Sequence, residues 1–208
     1  MIIIMKKVYT DPRKVILTDC DGVLLDWEYS FKVWMLHRGY EVVNPGEYKM
    51  DVMFGLDKFD SKDLIRQFNE SASIGFLPPL RDAVYYVRKL HEKMGYVFHC
   101  LTSLSDDPAA QRLRQMNLDK VFGPGVFEVL TCADTGADKD EILEPYRNSG
   151  CIWVEDKPEN AELGLNMGLK SILMGHDHNA YYRDGRIPRV WKWEHIYNMI
   201  ELAEVIED

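Results

Sequence analysis

Asp19-Cys20-Asp21-Gly22 follows the apolar run Val15-Ile16-Leu17, so a short strand delivers two carboxylates, one residue apart, onto a glycine. In an extended chain, residues i and i+2 share a side, and Asp19 and Asp21 face the same space if that geometry persists. Gly22 frees the backbone to turn directly after them. Two ionised carboxylates at roughly 4 Å repel by on the order of 4 kcal/mol at an effective dielectric of about 20, so the pair calls for a cation, a proton or a function. Taken alone, a D-x-D-G sequence is equally an acidic strand-to-turn junction in which aspartate caps a turn.

Three further elements stand at or just beyond the ends of apolar runs. Tyr96 to Leu101 leads into Thr102-Ser103, whose hydroxyls and amides suit phosphate oxygens. Lys139 lies in the polar patch Asp138-Lys139-Asp140 at a helix start, and Cys151 to Val154 leads into Glu155-Asp156-Lys157-Pro158, a second acidic strand end. Each of these alone is a common surface feature. Together they place a hydroxyl, an ammonium and four carboxylates at successive strand ends, where open α/β sheets bind ligands.

The elements that must position these groups alternate along the chain. Strands are expected at Val15–Leu17, Tyr96–Thr102, Val126–Leu130, Cys151–Glu155 and Ser171–Met174. Helices are expected at Arg81–Met94, closed by Gly95, at Ala109–Met116 behind the cap Asp107-Pro108, and from an Asp138 cap through Tyr146. Two more are expected at Pro158–Met167 and Trp193–Ile206. Such alternation predicts an α/β fold, a Rossmann-like parallel sheet with helices on both faces. The segment 26–79 breaks the pattern, with helix candidates at Trp27–His37 and Ser61–Asn69 and a turn at Asn44-Pro45-Gly46. It reads as a small helical cap inserted after the first strand, leaving residues 1–25 and 80–208 as the core. Trp27, Phe31 and Trp34 share one face of the first cap helix. Phe31 and Trp34 suit the cap's own core, while Trp27, nearest the acidic turn, can also face a ligand. Gly175 to Asn179 carries two histidines but lacks a third ligand at usable spacing and reads as a loop, and Trp191-Lys192-Trp193 as an edge strand or packing anchor.

The 208 residues, 46% of them hydrophobic, suffice for one domain of this size. A formal charge of −9 argues against a protein whose main business is binding a nucleic-acid backbone. Cys20, Cys100, Cys132 and Cys151 show no C-x-x-C spacing and read as reduced core residues. Met1-Ile-Ile-Ile-Met5 is too short for a signal-peptide core, and no apolar run approaches a membrane span, so a cytoplasmic protein without a membrane partner is expected.

These four motifs, in this order over Val15 to Met174, resemble the haloacid dehalogenase-like superfamily, whose phosphatases share a strand ending in D-x-D-G, a strand ending in Thr or Ser, a lysine, and a strand ending in paired acids. The resemblance implies the Rossmann-like sheet and inserted cap described above, and a hydrolase that removes phosphate from a small phosphorylated metabolite. It implies Asp19 as a nucleophile that forms an aspartyl-phosphate, and Asp21 as general acid and base. Lys139 would hold Asp19 and the phosphoryl oxygens, Thr102, Ser103 and nearby amides would bind oxygens, and Gly22 and Trp27 would border the substrate. Mg²⁺ is the implied cofactor, held by Asp19, Asp156 and the backbone carbonyl of Asp21. The acid at Asp21 favours phosphoryl transfer over carbon–halogen cleavage. Thr102-Ser103 and Glu155 to Pro158 are also similar to motifs of the 5′-deoxyribonucleotidases, which points to a nucleoside monophosphate. Glu155 and Asn160 depart from the family pattern and leave the outer metal shell open; a fold retained for binding or regulation, and a phosphatase of nucleic-acid ends, are the competing expectations.

Overall fold

A computed structural model describes residues 14–207; the apolar opening Met1 to Met5 lies outside the described residues. Its centre is β1 (Val15–Thr18), four fully buried aliphatic and β-branched residues. Parallel neighbours flank it, β2 (Val97–Ser103) on one side and β4 (Ile152–Glu155) on the other. The sheet has six strands, all parallel, in the order β3-β2-β1-β4-β5-β6, with β3 Phe127–Ala133, β5 Lys170–Met174 and β6 Arg189–Val190. After β1 the chain adds two strands on one side and then three on the other. The strand order therefore reverses at β1, and a crevice opens at its carboxyl end.

Parallel strands need crossover connections, and the helices that make them cover both faces of the sheet. Alternate residues of β1 divide accordingly, Ile16 entering one core and Val15 and Leu17 the other. Helix α4 (Ala83–Met94) ends at Gly95 in the left-handed region. Helix α5 (Pro108–Phe122) is capped by Asp107, whose carboxylate accepts from the Ala109 and Ala110 amides. It runs six residues past the expected end at Met116, because Asn117, Leu118 and Phe122 are buried there. The expected helix from Asp138 to Tyr146 is shorter: α6 covers Asp140–Leu143, and a single tight turn, Glu144–Tyr146, follows around Pro145. Lys139, not Asp138, stands at its start. Helix α7 is Pro158–Asn166 and α8 is Trp193–Glu207. The edge strand falls just before the tryptophan pair, and Trp193 is the packing anchor, 1% exposed with Nε1 donating to Val23 O at 2.8 Å. No helix among the described residues is long and apolar enough to cross a membrane.

Between β1 and α4 lie α1 (Trp27–His37), α2 (Met50–Phe54) and α3 (Lys58–Asn69). The sequence pattern did not reveal the five-residue α2, and α3 starts three residues earlier than expected because Asp57 caps it. Phe31 and Trp34 are buried with Phe54 and Phe68, and this aromatic group is continuous with the core on the Ile16 face of the sheet rather than separate from it. The inserted segment leaves and rejoins side by side: Asp26 N donates to Pro78 O at 2.9 Å and Leu80 N to Leu24 O at 2.9 Å.

Candidate active site

The turn after β1 is held by its own backbone, Gly22 N donating to Leu25 O and Leu24 N to Cys20 O. Gly22 has φ of +75°, and a Cβ there would lie 2.7 Å from Asp156 Oδ2. No other residue type meets both demands, so the glycine fixes how closely β1 and β4 bring their acids together.

Asp19 is 6% exposed, and its Oδ1 accepts from the Cys20 amide at 2.7 Å and faces Lys139 Nζ at 2.8 Å. Lys139, 2% exposed, also reaches Glu155 Oε2 at 2.8 Å. Glu155 is completely buried: Oε1 accepts from the amides of Asp156 and Lys157 at 3.0 Å, and Asn160 Nδ2 approaches Oε2 at 3.4 Å. Glu155 Oε2 is thus shared by Lys139 and Asn160. Among the described residues, Asp19, Glu155 and Asp156 offer carboxylate oxygens within 4.8 Å of one another. Both Glu155 oxygens are already engaged, whereas Asp156 Oδ1 is buried without a hydrogen-bond partner. A desolvated carboxylate oxygen left unpaired beside a second carboxylate is costly, and hard oxygen donors in that arrangement fit Mg²⁺.

Burial pushes the Asp156 carboxyl up to about 6, with the Asp19 charge adding to it. Burial also raises Asp19 and Glu155, against the pull of Lys139. Lys139 itself is desolvated, yet the charges of Asp19 and Glu155 keep it above its ordinary value. The Asp21 carboxylate turns away from this cluster to Arg114 of α5, which grips both its oxygens and is completely buried. Burial raises Asp21, and Arg114 opposes the rise.

Asp19, Asp21, Gly22, Trp27, Thr102, Ser103, Lys139 and Asp156 all line one cavity of about 820 Å³ between the strand ends and the inserted helices. Thr102 is 1% exposed. The Ser103 hydroxyl is already committed to Ala137 O at 2.9 Å, so it secures the loop ahead of Lys139. Trp27 faces the cavity and donates from Nε1 to Asn69 Oδ1 at 2.9 Å.

The segment from Gly175 to Asn179 is a loop, as expected, but one joined to the site. His176 and His178 line the cavity, the His176 ring nitrogen Nε2 lies 2.6 Å from Gly22 O, and Asn179 Nδ2 donates to Asp156 O at 2.7 Å. Tyr48, from the insertion, stacks on His178 with ring centroids 3.8 Å apart. Arg114 and Tyr48 carried no sequence signal, since each lies far along the chain from what it touches; Asn179 and the histidine pair stand in the segment that the sequence marks as a loop, whose contact with Asp156 only the fold shows.

No protein-family model matches the chain. An uncharacterized 32.4 kDa protein from Enterobacteria phage T4 is 31% identical over 145 residues, covering 64% of this chain and 49% of that protein, so the chain spans about half the length of this curated relative. Solved structures of the same architecture include a haloacid dehalogenase-like family hydrolase from Streptococcus pneumoniae, with a TM-score of 0.62 and 12% identity over 90% of this chain and 98% of that one. The magnesium-bound HAD-hydrolase YfnB from Bacillus subtilis, a putative hydrolase by its own description, has a TM-score of 0.58 and 14% identity over 90% and 98% of the two chains. An L-2-haloacid dehalogenase from Xanthobacter autotrophicus, solved with chloropropionic acid covalently bound, has a TM-score of 0.57 and 10% identity over 90% and 98%.

Proposed function

We propose that this chain, which has the haloacid dehalogenase-like fold, is a Mg²⁺-dependent phosphomonoester hydrolase working through an aspartyl-phosphate on Asp19. The fold serves both dehalogenases and other hydrolases, so the choice rests on the site. The observation that carries it is the pairing of Asp19, pinned by Lys139, with a buried Asp156 oxygen that has no partner. Asp19 and Asp156 would hold Mg²⁺ with the backbone carbonyl of Asp21, and the bound cation would offset the repulsion between the carboxylates and an incoming phosphate dianion.

Asp19 attacks phosphorus, and its oxygen takes the phosphoryl group as the ester oxygen leaves. Asp21 gives its proton to that alkoxide and takes one from the water that then cleaves the acyl phosphate, returning Asp19 and releasing inorganic phosphate. Its burial-raised carboxyl supports a proton-holding role, and Arg114 fixes where the acid stands. An acid at this position has no task in carbon–halogen cleavage, which favours phosphoryl transfer. Lys139, held by Glu155, keeps Asp19 oriented and faces the phosphoryl oxygens, while Thr102 and the amides beside it bind those oxygens as charge redistributes. Trp27 at the cavity wall supports a base or sugar next to the phosphate, with a nucleoside monophosphate as the specific substrate of this reading.

Purified protein is expected to release phosphate from p-nitrophenyl phosphate with Mg²⁺ and not with EDTA. Asp19→Asn is expected to lower that rate by at least about a thousandfold, since it removes the nucleophile. A wild-type-like rate in Asp19→Asn would refute the reading.

A further inference from the structure

The far wall of the cavity carries cations that the phosphoryl chemistry leaves unused. Lys58, Ser61, Lys62, Ile65 and Asn69 of α3 all line the cavity, and their spacing places them along one helical face. Asn69 marks the end of that face nearest the sheet, because its Nδ2 donates to Leu104 O at 2.9 Å, just past the Thr102-Ser103 strand end. At 1.5 Å per residue, Lys62 and Lys58 stand about 10 and about 16 Å further up the helix. Lys49, at the start of α2, faces the same space.

Most other charges on the inserted helices are already matched. Lys32 pairs with Glu28, and the Asp26 carboxylate accepts from the Tyr29 amide as the cap of α1. Lys49, Lys58 and Lys62 have no ion-pair partner among the described residues, and the acid of the insertion left facing the cavity with them is Asp51. In a chain of net charge −9, three ammonium groups without ion-pair partners gather on one wall of the cavity, which Asp57, Asp60 and Asp63 of the same segment do not line. The cavity thus has a phosphoryl-binding floor and a cationic wall a helix's length away.

We propose that the substrate carries a second phosphate at the end remote from the scissile one, and that Lys58 and Lys62, flanked by Lys49, select it. This rests on the phosphomonoesterase reading. A bisphosphorylated small molecule and the phosphorylated end of a short oligonucleotide present the same chemistry at this distance. Solvent-exposed lysines act weakly one at a time and measurably as a group, so a second phosphate is expected to tighten binding about tenfold at low salt, and the gain is expected to vanish near 1 M salt, where the Debye length is about 3 Å.

The test is calorimetric titration of the turnover-deficient Asp19→Asn protein with Mg²⁺. One arm compares hexane-1,6-diol bisphosphate with hexyl phosphate, the other 5′-phosphorylated trithymidylate with thymidine 5′-monophosphate. A preference of about tenfold in either arm, reduced to about one by adding Lys58→Ala and Lys62→Ala, is the expected result, and the arm that shows it identifies the source of the second phosphate. Equal affinities in both arms, or a preference that survives the double lysine substitution, would overturn the proposal. Absence of p-nitrophenyl phosphate turnover by the wild type would instead strike the catalytic reading, because the titration does not depend on turnover.

Discussion

On the sheet side of the cavity, Asp19, Lys139, Glu155 and Asp156 are at most 6% exposed, and two strand ends and one helix start share them. On the side of the inserted helices, Lys49, Lys58 and Lys62 are exposed and lack ion-pair partners among the described residues. The floor's charges were desolvated during folding, so their geometry is set before any ligand arrives, which is what stabilising a developing charge requires. The wall's charges remain solvated and are free to change without strain. Substitutions in the floor should therefore register in stability as well as in turnover, while substitutions in the wall should register in the choice of ligand.

The largest expected effect lies beneath the floor. Arg114 is completely buried and grips both oxygens of Asp21. Arg114→Met keeps most of the volume but leaves the Asp21 carboxylate, whose side chain is 22% exposed, without its partner; a fully buried pair would cost about 3–5 kcal/mol, and partial hydration of the acid sets the expected cost at the low end of that range. A matching fall in unfolding free energy by urea titration is expected, with Arg114→Met/Asp21→Asn recovering more than half of it because no charge is then left behind. A single variant as stable as the wild type would show that Asp21 is already hydrated, and the contrast between floor and wall would lose its physical basis.

The same contrast explains what the sequence reveals. The strands around β1 are legible because parallel strands buried on both faces must be short apolar runs, and their polar ends announce Asp19, Asp21, Thr102 and Asp156. The insertion is legible as a break in alternation, yet α2 escapes notice because five residues are too few to show a period. Arg114 is invisible for another reason. It sits within an ordinary helix 93 positions from Asp21, and nothing in the pattern of α5 marks a buried cation. Glu155 and Asn160 depart from the acids expected there, and only the fold shows that Asn160 meets Glu155 at the oxygen that also holds Lys139. Tyr48 lies in a connection whose path local residue preferences do not fix.

A smaller effect follows from Asp156. Its carboxyl is raised from 3.8 to about 6 by burial and by Asp19, so across that interval the native state binds more protons than the unfolded chain. Stability of the metal-free protein then falls as pH rises from about 4 through about 6, by on the order of 3 kcal/mol if this group acts alone, at about 1.4 kcal/mol per unit. Asp19 and Glu155 are shifted in the same direction. A cation binding the ionised form offsets that cost where the carboxylate is charged and must displace a proton where it is not. Thermal melts are expected to show a larger rise in Tm from Mg²⁺ at pH 7.5 than at pH 5, measured against EDTA controls. An equal rise at both values would mean that the cation binds elsewhere, and the floor would no longer be its site.

The smallest effect sits where floor and wall meet. The Tyr48 ring stacks on His178, and His178 Nε2 in turn lies 3.3 Å from Asp156 O. Tyr48 as a residue is 37% exposed, so the contact resembles the wall in its hydration and the floor in what it touches. Ring pairs contribute about 0.5–1.5 kcal/mol beyond their burial, and exposure places this one at the low end, so the loss of stability in Tyr48→Ala that exceeds the lost burial should be less than about 1 kcal/mol. If the stack holds the insertion over the strand ends, KM for p-nitrophenyl phosphate should rise several-fold, by about the factor that this energy sets, while kcat changes little. Tyr48→Phe retains the ring and should behave as the wild type in both constants. A fall in kcat shared by the alanine and phenylalanine variants would place the Tyr48 hydroxyl among the groups that act on the phosphoryl oxygens, and the boundary between a prebuilt floor and an adaptable wall would then run through the inserted segment, not along its edge.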